Sequence, residues 1–195
     1  IRVAALIKMK QRCTWPGSNQ LMIDYHDQEW GVPLHNDQKL FEFLILDAFQ
    51  AGLSWEIVLN KRENFRKAFS DFNPEKVAKY TVKDVERLLK NEGIVRNRLK
   101  IESAIINAKI FLEIKKEFGS FAKYIWKFTN HNTIQNKWKT DKDLPSKTAE
   151  SDAMSEALKR RGFKFVGSTI CYAFMQAAGM VNDHTTYCFR HKICK

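Results

Sequence analysis

Apolar residues recur along this chain at helical rather than strand spacing. Residues 36–52, N-D-Q-K-L-F-E-F-L-I-L-D-A-F-Q-A-G, carry Leu40, Phe41, Phe43, Leu44, Ile45, Leu46 and Phe49. These cover nearly every face of the predicted helix and place it at the centre of the fold. Asn36 or Asp37 caps its start and Gly52 ends it. Ser54 opens a second helix running through Trp55, Val58, Phe65 and Phe69. Asn73-Pro74, an N-cap followed by proline, opens a short helix to Tyr80. Thr81 starts another, striped by Val82, Val85, Leu88 and Leu89. A longer helix is predicted over about 96–118, and Ser120 begins an aromatic one through Tyr124, Ile125 and Phe128. The last two span about 151–161 and 168–178, stopped by Gly162 and Gly179. Residues 129–147 are polar and turn-rich, one long loop. No stretch alternates convincingly, and no repeat or linker divides the chain. The expectation is an all-α, single-domain helical bundle.

Composition agrees with this pattern. The 195 residues are 44% hydrophobic and 12% aromatic, which excludes a disordered chain. No apolar run approaches the roughly 20 residues that span a bilayer, so no membrane partner is expected. The opening I-R-V-A-A-L-I-K is too short for a secretory signal. Residues 1–8 are read as an extension outside a domain of residues 9–195, with Met9 as the natural start. Cys13, Cys171, Cys188 and Cys194 do not form a disulfide framework in a chain this long, which points to a reducing, cytoplasmic setting. One domain implies a monomer. Lys and Arg number 33 against 22 Asp and Glu, a net charge of +11. That excess favours a polyanionic partner, most often nucleic acid.

Three stretches carry chemistry. In N-D-H-T-T-Y-C, His184 and Cys188 stand four apart, suited to two ligands of one zinc ion. Cys13 and His26, near the other end, would complete a Cys2His2 tetrahedron. On spacing alone, Cys13 reads equally as a small buried hydrophobe and His26 as a hydrogen-bonded core histidine. Second, L-K-R-R-G-F-K-F-V-G-S-T runs from a basic helix end, through a glycine-containing turn, into a new helix at Ser168. The amides at Gly167, Ser168 and Thr169, with Arg161 and Lys164 nearby, suit a DNA phosphate. This segment resembles a helix-hairpin-helix, although an ordinary αα-hairpin with a solvated basic face has the same outline. Third, Asp47 sits in an apolar helix, with Gln50 on the same face. It either accepts structural hydrogen bonds or faces a pocket. Trp15, Tyr25, Trp30 and Trp55 are core residues by default, but flat faces of this kind also grip an extruded base.

Taken together, R-C-T-W, D-Y-H-D-Q-E-W-G-V-P, F-Q-A-G-L-S-W, K-R-E-N-F-R, G-I-V-R-N-R-L-K-I, A-L-K-R-R-G-F-K-F-V-G-S-T-I-C-Y-A-F-M-Q-A-A-G and V-N-D-H resemble the Tag-type DNA-3-methyladenine glycosylases. The resemblance runs from about Met9 to Cys188. It implies a helix-hairpin-helix fold whose termini are clipped by a structural Zn2+ on Cys13, His26, His184 and Cys188. It implies a base pocket built by Tyr25, Trp30 and Trp55 with Trp15 near, in which Asp47 stands where the family has a glutamate. The implied activity is hydrolysis of the N-glycosidic bond of 3-methyladenine in double-stranded alkylated DNA. The base would flip out and leave an abasic site, with no lyase step and 3-methyladenine as product. The rival reading is a non-catalytic, zinc-stabilised DNA-binding module. No acidic metal cluster of a nuclease and no H-x-E with P-C-x-x-C of a deaminase is found.

Overall fold

Capping residues set where helices begin in the computed structural model, which describes residues 10–194. Asn19 accepts the backbone N–H groups of Leu21 and Met22 and starts α1 (Gln20–Gln28), a helix that the hydrophobic pattern does not predict. Asn36 accepts from Lys39 and starts α2 (Asp37–Gln50), every residue of which from Leu40 to Phe49 is buried. The central position expected of this helix is therefore observed.

The single helix expected after Ser54 is two: α3 (Trp55–Asn60) and α4 (Arg62–Ala68), broken at Lys61. The break places Arg62 beneath α2. Its guanidinium donates to Glu42 at 2.7 Å and to both Glu29 oxygens at 2.7 and 2.8 Å. Arg66 also donates to Glu42. Burial alone would push the Glu42 carboxyl up, but Arg62, Lys39 and Arg66 override it and hold it below its usual value.

Asn73 and Pro74 open α5 (Pro74–Val77), shorter than expected. Next come α6 (Val82–Leu89), α7 (Arg98–Phe118) and α8 (Phe121–Ile125). Phe111 on α7 joins the layers, with its ring centroid 5.1 Å from Phe41 of α2 and 4.1 Å from Phe121 of α8.

The expected loop at 129–147 holds one strand, β1 (Ile134–Gln135), which pairs in parallel with β2 (Val181–Asn182). Among the described residues the fold is thus mostly helical with one two-residue ladder, a small departure from all-α. Two residues are too few for the alternation that marks a strand in sequence. The final helices are α9 (Ala149–Arg160) and α10 (Ser168–Ala177), packed on each other, with α10 also against α2.

Two details fix the frame around the site. Lys100 on α7 is buried and donates to the carbonyls of Phe49 and Ala51, 2.8 and 2.5 Å away. It caps the C-terminal end of α2, where the helix dipole favours a cation. Gly179 follows α10 with φ +67°, and a Cβ there would lie 2.3 Å from the Val32 carbonyl carbon. Only glycine lets the chain at 30–34 run against α10, where Gly31 donates to Gln176 and Leu34 to Ala178. Among the described residues, no helix is long and apolar enough to cross a membrane. The proposed extension at residues 1–8 lies outside the described part.

Candidate functional site

A cavity of about 210 Å³ opens between α1, α2, α3 and α10. The six pocket residues expected from sequence, Trp15, Tyr25, Trp30, Asp47, Gln50 and Trp55, all line it. Four more do so that the sequence reading misses: Asp141, Leu144, Ala173 and Gln176. The first two come from the polar loop. The last two lie three apart on α10, a spacing that could have marked one helical face.

The walls are aromatic. The Tyr25 and Trp55 ring centroids are 5.2 Å apart at 46°, and Trp15 meets Trp30 edge-on at 5.0 Å. The polar groups are few, and several of their atoms lack partners. Asp47 is 2% exposed, and its Oδ2 has no hydrogen-bond partner. The indole Nε1 atoms of Trp15 and Trp55 are likewise buried without partners. Buried polar groups left unpaired are rare and costly, and here they border one cavity. Burial pushes the Asp47 carboxyl well above its ordinary range, against the pull of Arg62. Burial, then the charge of Asp47, pushes the Tyr25 hydroxyl up as well. Met22 is buried but does not line the cavity.

Behind this wall, Cys13, His26, His184 and Cys188 converge, all buried, with their ligand atoms within 4.8 Å of one another. His26 Nε2 lies 3.2 Å from His184 Nδ1 and 3.5 Å from Cys188 Sγ. His184 Nδ1 lies 3.6 Å from Cys188 Sγ and 3.7 Å from Cys13 Sγ. A tetrahedron around zinc, with ordinary Zn–N and Zn–S bonds, has N···N and N···S edges of about 3.3 and 3.6 Å. The donor set fits such an ion. The far ring nitrogens fit too: His26 Nδ1 faces Asp27 Oδ1 at 2.8 Å and His184 Nε2 faces the Trp30 carbonyl at 3.0 Å. Each contact leaves the inward nitrogen free to ligate. Arg12 holds Asp27 through three hydrogen bonds of 2.8 to 2.9 Å. Through Trp30, the cluster and the cavity share a wall.

The basic hairpin between α9 and α10 is held from α7. Asn107 accepts from the Lys164 N–H at 2.8 Å and donates to its carbonyl at 3.0 Å. Gly167 is the N-cap of α10, Thr169 and Lys164 are exposed, and the Ser168 hydroxyl meets that of Ser151 at 2.8 Å. Arg161 does not join this group. Its guanidinium is taken up by Glu117 at 2.7 and 3.0 Å and lies over the Phe118 and Tyr124 rings.

The chain is similar to known proteins over most of its length. The sequence model of the family described as methyladenine glycosylase matches residues 15–191. The DNA-3-methyladenine glycosylase of Haemophilus influenzae is 48% identical over 180 residues, covering 92% of this chain and 97% of that protein. A crystal structure of 3-methyladenine DNA glycosylase I (TAG) superposes with a TM-score of 0.90 at 50% identity, covering 92% of this chain and 98% of the other. A variant of 3-methyladenine DNA glycosylase I (TAG), solved in complex with 3-methyladenine, gives 0.89 at 34% identity, covering 91% and 96%. With the match spanning nearly the whole described chain, this protein belongs to the methyladenine glycosylase family.

Proposed function

We propose that this protein is a DNA base-excision repair enzyme that hydrolyses the N-glycosidic bond of 3-methyladenine in alkylated DNA. The observation that carries the reading is Asp47, a buried carboxylate with an unpartnered oxygen inside an aromatic cavity. A methylated adenine is cationic until its glycosidic bond breaks. Ring faces favour a cation, and a carboxylate held in low dielectric favours one strongly. The neutral adenine of undamaged DNA gains neither attraction.

The base would flip out of the duplex and enter between Trp55 and Tyr25. Leu53, 37% exposed beside Gly52 on the loop after α2, is an apolar side chain of the kind that fills the gap left in a base stack. In the chemical step the bond from the anomeric carbon to the base breaks, and its electron pair neutralises the purine. Water bonds to that carbon, its proton passes to solvent, and an abasic site remains. Asp47 binds and stabilises positive charge while the bond breaks. Among the described residues no lysine lines the cavity to form a Schiff base, which supports release without strand cleavage.

Duplex DNA would lie across the hairpin, with a phosphate at the amides of Gly167, Ser168 and Thr169 beside Lys164. Asp152, near Ser168, opposes this, and Lys147 and Lys159 border the same groove. Zinc on Cys13, His26, His184 and Cys188 would be structural, since four protein ligands leave no open position. The free, buried cysteines suit a reducing cytoplasm.

Chromatography of bases freed from methylated duplex DNA tests the reading. The enzyme liberates 3-methyladenine, and Asp47→Asn lowers that release at least about 100-fold with duplex affinity nearly unchanged. A non-catalytic DNA-binding module liberates no base. Unchanged release from Asp47→Asn would remove this residue from the chemistry.

A further inference from the structure

The cavity holds a second carboxylate, from a part of the chain in which the sequence marks no chemistry. Asp141 begins a single 3-10 turn, Asp141–Asp143, on the polar loop before α9. Its two oxygens have different surroundings. Oδ2 accepts from the Thr14 N–H at 2.6 Å, the Trp15 N–H at 2.8 Å and the Thr14 hydroxyl. Oδ1 is buried with no partner, and the residue lines the same cavity as Asp47. A purely structural clamp would explain Oδ2 alone. It would not explain why the other oxygen gives up water and gains no donor.

The unpaired atoms of the cavity form a balanced set. Two are acceptors, Asp47 Oδ2 and Asp141 Oδ1, and two are donors, Nε1 of Trp15 and Nε1 of Trp55. An adenine edge has the complementary inventory: an exocyclic amine with two N–H bonds, flanked by two ring nitrogens that accept. In guanine a carbonyl oxygen, an acceptor only, replaces that amine. We propose that Asp141 is a specificity-determining residue, its Oδ1 accepting the second N–H of the exocyclic amine and opposing a carbonyl at that position. The inference rests on reading the cavity as the base pocket. It adds a second negative charge to the cation's surroundings and assigns a selectivity to it.

Asp141→Asn separates the two oxygens. An asparagine keeps an oxygen toward Thr14 and Trp15 and puts an NH2 group where Oδ1 stood. Thr14→Val does the converse: it removes one bond of the clamp and leaves Oδ1 alone. The measurement is quenching of tryptophan fluorescence by free 3-methyladenine and by free 3-methylguanine, with melting temperature followed alongside. Asp141→Asn should bind 3-methyladenine about tenfold or more weakly, the loss expected for one hydrogen bond to a charged group. Its preference for the adenine over the guanine should narrow, while Thr14→Val binds as wild type does. Wild-type affinity and preference in Asp141→Asn would overturn the role of Asp141 and leave the pocket reading intact. An equal loss in Thr14→Val would reduce Asp141 to a clamp. Absence of quenching in the wild type would remove the base-pocket reading, and this role with it.

Discussion

Asp47 is held where an ionised carboxylate is least stable, and it is held there by one of the best-packed helices in the fold. Its pKa in the folded chain lies above that of the unfolded chain because burial disfavours the charge. Folding therefore favours the protonated form, and the stability this residue lends is fully present only below its unfolded pKa. It falls as pH rises through the interval up to the folded value. Asp47→Asn has no such dependence. We expect it to melt higher than wild type at neutral pH, by about 2–4 °C for each kcal/mol relieved, while activity is lost. A thermal melt across pH 4–8 checks this; a lower melting temperature would mean that Asp47 has structural partners. Asp47 stood out in the sequence because a charge in an apolar helix demands an explanation. Asp141 did not, since a carboxylate in a polar loop is ordinary and its partners lie 126 and 127 residues away.

At the scale of elements, capping chemistry was the most legible part of the chain. Asn36, Ser54, Asn73 and Ser120 each cap a helix as expected. The pattern was less reliable where tertiary contacts intervene. The run from Ser54 to Phe69 keeps its apolar period through the break at Lys61, just after which Arg62 pairs with Glu29 and Glu42. Lys100 shows the same limit. Nothing in its spacing says that its side chain turns inward, whereas the structure uses it to close α2. Lys100→Met would leave the Phe49 and Ala51 carbonyls without that cap, at a cost of about 1–3 kcal/mol by urea unfolding. The loop carrying Leu53 would also lose its anchor, so release of 3-methyladenine should fall more than the unfolded fraction accounts for. Activity tracking stability alone would deny Lys100 any part in positioning that loop.

Across the whole molecule, two long-range features bear on the reading: the net charge of +11 and the Cys13, His26, His184 and Cys188 cluster, which joins distant parts of the chain. Lys164→Ala should weaken DNA binding evenly across sequences and reduce the slope of log affinity against log salt by about 1. An unchanged slope would move the phosphate elsewhere. Arg161→Ala should change the slope less, because Glu117 already neutralises it. Prolonged chelation, or Cys188→Ser, should lower the melting temperature sharply and change tryptophan emission, because Trp30 is bonded to His184. A metal-free protein of equal stability and unchanged emission would contradict a structural zinc. The cluster was foreseeable as a ligand set through the family resemblance. Its shared wall with the cavity was not, since nothing in the spacing of Cys13, His26 and Trp30 says which way an indole or a carbonyl points.

That shared wall has a consequence in time. A ribosome delivers Trp15, Trp30, Asp47 and Trp55 early, and His184 and Cys188 among the last residues of the described chain. Trp30 cannot be fastened to His184 before the latter has emerged from the exit tunnel. The cavity therefore stays unfinished until His184 has emerged, and a shorter nascent chain tethered near nucleic acid lacks the finished pocket with which to strip bases from it.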